Sequence, residues 1–317
     1  MKPPYTLTSG ILQLVSEVSQ KIGEINASFL SKHSPELRKR NRIRTIQASL
    51  AVEGNTMSID QITAILENKR VLGPAKDILE VTNALEMYGQ LQKFNPYSEK
   101  SFLQAHKTLL KGLIKNAGRY RNSGVGIVKN TRIAHVAPPA GNVPYLMKDL
   151  FTYIKKTDEP ALIKSCVFHY ELEFIHPFSD GNGRMGRLWQ TLLLMHQYPV
   201  FDFLPFETLI SKHQKKYYLA LSNSDKQGES TIFISFMLKI LSESLDELLT
   251  ERTGPITNDE RMRIFLETGV KGFTRKDYMN FFKAISSATA SRDLRQAAKE
   301  GLIKKLGDKN KTTYKIR

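Results

Sequence analysis

His176-Pro177-Phe178-Ser179-Asp180-Gly181-Asn182-Gly183-Arg184-Met185-Gly186-Arg187 is the stretch on which the reading of this chain turns. An apolar helical run, Ala161 to Ile175, leads into it, and Gly183 to His196 reads as a second helix leaving it. A short glycine-containing loop that enters a helix aims unpaired backbone N–H groups, and the positive end of the helix dipole, at one point. Gly181 and Gly183 suit that role because a Cβ would hinder close approach or positive φ. Arg184 and Arg187 stand three apart on one helical face and can fork onto phosphate oxygens. Two cations in a first helical turn oppose the dipole by roughly 0.3–1 kcal/mol each, a cost that a bound anion or a facing carboxylate removes. Asp180 offers the hard oxygen that Mg²⁺ takes when it is shared with a polyphosphate. His176 has an ordinary pKa near neutrality and suits general-base work on a hydroxyl. Phe178 is expected to anchor the loop in the core.

Outward from this loop the pattern is helix after helix. Helical spacing runs through Ile11 to Ile25, Glu36 to Glu53, Val143 to Lys156, Ser211 to Asn223 and Thr231 to Thr250. Asp60 is expected to cap Gln61 to Glu67, Asp77 to cap Ile78 to Phe94, and Ser98 to cap Glu99 to Leu113. Between Gly118 and Pro144 glycines, β-branched residues and Pro138-Pro139 replace this periodicity, which predicts a short hairpin. Three helix-like pieces, Asp259 to Glu267, Thr274 to Phe282 and Ser287 to Lys299, precede a two-stranded wing made of 302–306 and 312–316, the order of a winged helix-turn-helix. The expected fold class is therefore all-α with a short β-hairpin, plus a small C-terminal winged helix-turn-helix. The expected division is an N-terminal helical region (1–95), a catalytic core (96–250), a linker (251–258) and the winged unit (259–317).

Ser49-Leu50-Ala51-Val52-Glu53-Gly54-Asn55 is the second informative stretch. Ser49 and Glu53 lie four apart on one face, and Gly54 is placed to end the helix in the left-handed conformation. Glu53 then opposes the dipole at a helix C-terminus, which local energetics do not explain and a cationic partner elsewhere would. A solvated surface glutamate is the alternative.

Composition bounds the rest. With 317 residues, 41% hydrophobic and 25% charged, the chain can bury a large core and has the balance of a soluble globular protein. No stretch approaches the ~20 apolar residues of a membrane span. The first twenty residues lack the build of a signal peptide, so a cytoplasmic location is expected. The single cysteine, Cys166, excludes an internal disulfide and a thiolate-rich metal cluster, and it reads as core. His169 stands two turns before His176, but no third ligand accompanies the pair, so His169 reads as a hydrogen-bonded core residue. Trp189 is expected to pack its helix on the bundle. Of the net charge of +16, +8 falls between Pro255 and Arg317. Arg292, Arg295 and Lys299 share a helical face, and Lys304, Lys305, Lys309 and Lys311 decorate the wing, which makes 274–311 a candidate DNA contact. Protein docking is the alternative use of such a unit.

At 176–187 the chain resembles the Fic (Fic/Doc) family at every defining position of its motif, and the resemblance extends from about Glu36 to Thr250. It implies transfer of AMP from ATP to a protein Ser, Thr or Tyr hydroxyl with release of pyrophosphate. His176 would be the base, Asp180 the Mg²⁺ ligand, and Gly181, Asn182, Gly183, Arg184, Met185, Gly186 and Arg187 the nucleotide-binding run. Gly183 stands where Doc-type kinases carry a lysine. Ser49 to Asn55 resembles the family's inhibitory motif on a helix at about 38–54, implying that Glu53 pairs with Arg187 in the space of the γ-phosphate; in some relatives the same glutamate supports removal of AMP. The segment 133–139 resembles the flap beside which a target peptide adds as a strand. Tyr217 and Tyr218 fall where relatives pack tyrosines on the nucleoside, although tyrosine pairs are also common in cores, and Asp225 replaces a frequent asparagine. Self-modification and homodimers are common in relatives. A DNA-binding regulator with a nucleotide-sensing core, and transfer from another NTP, are the competing readings; the presence of both His176 and Asp180 favours the enzyme.

Overall fold

A computed structural model describes residues 2–27, 35–124, 126–129, 132–250, 258–266, 268–270, 272–282, 285–307 and 312–316. Helix starts and stops follow local chemistry, and several differ from expectation. After α1 (Ser9–Ala27) and α2 (Pro35–Val52), helix α3 (Ile59–Leu66) is capped by Ser58 rather than Asp60. Ser58 and Gln61 form a reciprocal capping box, leaving Asp60 to complement the dipole in the first turn. Helix α4 (Ala75–Gly89) starts two residues before Asp77, after Pro74, and stops well short of Phe94. Asp77 is drawn away from capping because its Oδ2 accepts from the amide and hydroxyl of Thr56, at 2.9 and 2.8 Å. Ser98 does cap α5 (Glu99–Leu109).

Strands β1 (Gly126–Lys129) and β2 (Arg132–Val136) form the expected hairpin, an antiparallel pair with a register shift between Ile127 and Val128. Helices α6 (Val143–Lys156), α7 (Ala161–Ile175) and α8 (Asn182–Gln197) follow. The helix expected over Ser211 to Asn223 is two: α9 (Glu207–Lys212) and α10 (Gln214–Gln227), divided at His213. The six residues of α9 are too few to give a periodic signal. Helix α11 is Thr231–Thr250.

The chain divides into two units, Met1–Leu248 and Leu249–Arg317. In the first, α7 and α8 run through the interior. Trp189 and Phe168 are fully buried, with Phe102 and Phe151 packed edge-on against them. Trp189 donates its indole N–H to the Pro96 carbonyl at 2.9 Å, satisfying the one polar atom it takes into the core. No helix among the described residues is long and apolar enough to cross a membrane.

The second unit contains α12 (Asn258–Leu266), β3 (Gly272–Phe273), α13 (Arg275–Phe281), α14 (Ser287–Lys299), β4 (Ile303–Leu306) and β5 (Thr313–Ile316). Its sheet has three antiparallel strands in the order β3-β5-β4, not the two expected, because Gly272 and Phe273 pair with Lys315 and Tyr314. Met262, Phe265, Phe273, Tyr278, Leu294 and Ile303 supply its own small core. The expected linker lies outside the described residues up to Asn258, as do Lys309 and Lys311.

Candidate active site

The loop between α7 and α8 begins with backbone strain. His176 ends α7 in the left-handed region, φ +49°, donating its amide to Leu172. This conformation costs a residue with a Cβ roughly 1–2 kcal/mol and persists only where surroundings enforce it. Arg121 does much of the enforcing. Its Nε donates to the His176 carbonyl at 2.7 Å, and its Nη2 to the carbonyls of Pro138 and Ile175. One guanidinium thereby ties the loop to the chain following β2.

Phe178 is fully buried and stacks on His106, ring centroids 3.6 Å apart. His106 accepts the Gly118 amide at Nδ1, so its Nε2 carries the hydrogen and donates to the Asp180 carbonyl at 3.0 Å. Burial pushes the His106 pKa down to about 4, which keeps the ring neutral in this role. Asn182 bonds both ends of its carboxamide to the Phe178 backbone at 2.9 Å. That side chain therefore shapes the loop. Gly181 takes φ +86°, where a Cβ would also lie 2.7 Å from Leu110 Cδ2.

At the start of α8 the two arginines meet carboxylates. Arg187, fully buried, donates Nε to Ser49 Oγ at 3.0 Å, and Nη2 to the Ser49 carbonyl at 2.9 Å and to Glu53 Oε1 at 2.7 Å. Burial alone would lower the Arg187 pKa, but the charge of Glu53, with Tyr217 and Glu173 nearby, carries it above its ordinary value. A Cβ on Gly183 would collide with Glu53 Oε1 and come within 3.1 Å of Arg187 Nη1. Glu53 thus lays its carboxylate directly over the first turn of α8, with 33% of its side chain exposed. The backbone of the 49–55 turn sets this reach. Asn55 N–H bonds to Leu50 O and Gly54 N–H to Ala51 O, with Gly54 at φ +90°, the Schellman arrangement.

Arg184 is held by a residue that sequence reasoning missed. Its Nη1 donates to Glu80 Oε1 and its Nη2 to Asp180 Oδ1, both at 2.9 Å. The other oxygen of Glu80, on α4, accepts from Asn55 Nδ2 at 2.9 Å. Asn55 is thus linked through Glu80 to Arg184, and the 49–55 turn engages both arginines, one directly and one through α4. Glu80 is 104 residues from Arg184 in sequence and carried no local signal. His106 and Arg121 were missed for the same reason.

Some expected residues stand elsewhere. Met185 is fully buried in the core, and its amide is used within the helix, donating to Gly181 O. Gly186 faces α7, where a Cβ would meet His169 Cδ2 at 2.6 Å, so it serves close helix packing. Tyr217 is 1% exposed and its hydroxyl lies 3.0 Å from His169 Nε2, so its ring offers no open face to a nucleoside in this state. Tyr218 is half-buried, its hydroxyl 3.5 Å from the Val52 carbonyl at the end of α2. Asp225 accepts from Tyr170 Oη at 3.0 Å. His169 is the core histidine expected, 2.6 Å from Gln190 Oε1. One turn on, Glu173 lies within 3.7 Å of it. Burial would raise the Glu173 pKa, but His169, His176 and Arg187 hold it below the usual carboxylate value.

The donor set fits a polyphosphate. Arg187 Nη1 and Arg184 Nε are buried without hydrogen-bond partners among the described residues, and Gly183 leaves the room a Cβ would fill. It also fits Mg²⁺ bound in the manner of that ion, through one carboxylate plus phosphate oxygens and water. Asp180 is 46% exposed and able to turn outward, and no cluster of three or more metal-ligating side chains is found among the described residues.

Comparison with known proteins places this geometry. The Fic/DOC family model matches residues 96–194. A curated relative, protein adenylyltransferase Fic of Nematostella vectensis, is 28% identical over 80% of this chain and 60% of its own length. Protein adenylyltransferase fic-1 of Caenorhabditis briggsae is 28% identical over 80% and 52%. The chain thus spans little more than half the length of these relatives. The crystal structure of a Fic family protein from Desulfovibrio desulfuricans G20 superposes with a TM-score of 0.78 at 39% identity, covering 100% of this chain and 98% of that one. Similar over its whole length to a solved member, and carrying the motif on the loop that opens α8, the chain belongs to the Fic family.

Proposed function

We propose that this protein is an adenylyltransferase that moves AMP from ATP to a hydroxyl of a protein, and that its resting state is held off by Glu53. The observation that carries the reading is the Glu53 carboxylate seated over Gly183 and paired with Arg187. A carboxylate there stands in for a phosphate group: it meets the same helix N-terminus and the same guanidinium.

His176 takes the proton of the acceptor hydroxyl, whose oxygen forms the bond to the α-phosphorus as the bond to pyrophosphate breaks. Backbone amides at the start of α8 and the two arginines neutralise charge on the remaining phosphates. Asp180 would hold Mg²⁺, whose chemistry there would be to neutralise charge on the polyphosphate. Asp180 meets Arg184 and the Gly181 amide through Oδ1, which leaves Oδ2 for that role, whereas Arg187 has to exchange Glu53. The β1–β2 hairpin is two-stranded among the described residues, so a target segment can add along an edge and present its hydroxyl to the loop.

The test is incubation of wild type, Glu53→Gly and Glu53→Gly/His176→Ala with each α-labelled NTP and Mg²⁺, scoring label on the protein itself and on added targets. Label confined to ATP and to the Glu53→Gly single variant is expected. Equal labelling of wild type and Glu53→Gly would remove the inhibitory role, and persistence in the double variant would remove His176 as base. Incubating the labelled protein with wild type detects the reverse reaction, release of AMP.

A further inference from the structure

The second unit carries a charge arrangement that AMP transfer does not use. Helix α14 exposes Arg292, Arg295 and Lys299 on one face. The acidic residue within α14, Asp293, is turned inward and 1% exposed, accepting from Arg261 Nε at 2.6 Å, Arg261 Nη2 at 3.1 Å and Tyr278 Oη at 3.1 Å. That buried bond set fixes the rotation of α14 and so decides which face is outermost. At the next element the β4–β5 register places Lys304 directly opposite Lys315, both exposed.

Both features are unfavourable in the isolated unit. Like charges directly opposite one another destabilise a strand pair, and like charges three or four apart destabilise a helix. Among the described residues no carboxylate pairs with Arg292, Arg295, Lys299, Lys304 or Lys315; Glu300, beside Lys299, takes a hydrogen bond from Gln296 at 2.6 Å. A polyanion is the ligand class that turns these repulsions into binding. The mount of α14 narrows the class. It starts at Ser286, a side-chain N-cap, after five residues separating it from α13, and its exposed first-turn residues Ser287 and Ala288 are small. Arg275 Nη1, from α13, reaches Ser291 Oγ at 3.1 Å and braces the two helices. A helix with a slim first turn and a basic exposed face, on a helix-turn-helix, suits the major groove of B-form DNA, which admits a helix, whereas that of A-form RNA is too narrow. A second copy of the unit would present the same cations and be repelled.

We propose that this face binds duplex DNA, with the exposed side of α14 in the major groove and Lys304 and Lys315 on flanking phosphates. Binding of a fluorescent duplex of about 25 base pairs to the full chain, followed by anisotropy between about 50 and 200 mM salt, tests it. The expected result is an affinity falling steeply with salt, with a log–log slope near −0.9 per phosphate contacted. Lys304→Ala/Lys315→Ala should reduce that slope by about two, and Arg292→Ala/Arg295→Ala should weaken binding tenfold or more at every salt concentration. All four side chains are exposed, so both variants keep the fold, checked by circular dichroism. Absence of binding, a salt-independent affinity, or variants that bind like wild type would each overturn the proposal. Equal affinity for duplex RNA, or equal competition by polyglutamate, would overturn it in favour of a general anion-binding face.

Discussion

Two sets of cations in this chain live under opposite rules. Arg184 and Arg187, at the start of α8, are buried and answered by carboxylates of the chain itself: Asp180 and Glu80 for one, Glu53 for the other. Arg292, Arg295 and Lys299, on α14, are exposed and answered by nothing among the described residues. A buried cation must have a partner at all times, so the chain supplies one from within, and a ligand can enter only by exchange. An exposed cation is satisfied by water and mobile ions, so it can wait for an external partner at little cost. The first arrangement couples ligand entry to the loss of an internal ion pair; the second leaves its cations open to solvent.

The largest test of that contrast is Glu80→Ala. Removing the buried one of the two carboxylates that hold Arg184, and leaving Asp180 at the surface, should cost up to about 3–5 kcal/mol of stability, read as a shift in urea midpoint at unchanged slope. A loss under about 1 kcal/mol would mean that Asp180 alone suffices for Arg184, and the contrast would weaken. Next is pH. The unfolded chain protonates His106 near 6.5 and the folded one only near 4, so its contribution is complete above pH 6.5 and lost as pH falls toward 4. That difference amounts to roughly 3 kcal/mol between the ends of the window. His106→Gln, compared with wild type in urea at both ends, should lack this part of the slope; parallel behaviour would show that the ring takes up its proton without disturbing the loop. Third, Glu53→Gly should raise transfer about 5- to 150-fold, the usual range of a coupling between two sites. Smallest, Arg292→Ala/Arg295→Ala should move stability by less than about 0.5 kcal/mol per substitution, as exposed positions do. A marked loss would place those arginines in a structural network and undo their contrast with the loop.

How much of this was legible beforehand depended on how local the signal was. The pairing of Glu53 with Arg187, 134 residues apart, was expected only from the family resemblance. The loop between two helices, with its glycines and paired arginines, was readable because spacing along one or two turns carries it. Gly54 was identified as the helix stop for the same reason. Glu80, His106 and Arg121 were not, since each acts on the loop from 104, 74 and 55 residues away and looks ordinary among its neighbours. Asp77 misled because a cap position competes with tertiary partners, and Thr56 won. Tyr217 misled because a pair of tyrosines does not say which ring faces inward. Helix α9 and strand β3, at six and two residues, are shorter than any period needs to declare itself.

The Glu53–Arg187 contact has a consequence in terms of concentration. Because both residues belong to one chain, the carboxylate, on the proposed reading, is a tethered competitor whose effective concentration is set by geometry, on the order of millimolar for a short flexible tether and higher for one held in a packed helix. Dilution cannot release it, and neither the amount of protein made nor any stoichiometry with a separate inhibitor alters it. A nucleotide at ordinary cellular levels therefore meets a rival of comparable strength in every molecule. Release, on that reading, comes from whatever moves the 49–55 turn or from nucleotide in excess of that effective concentration.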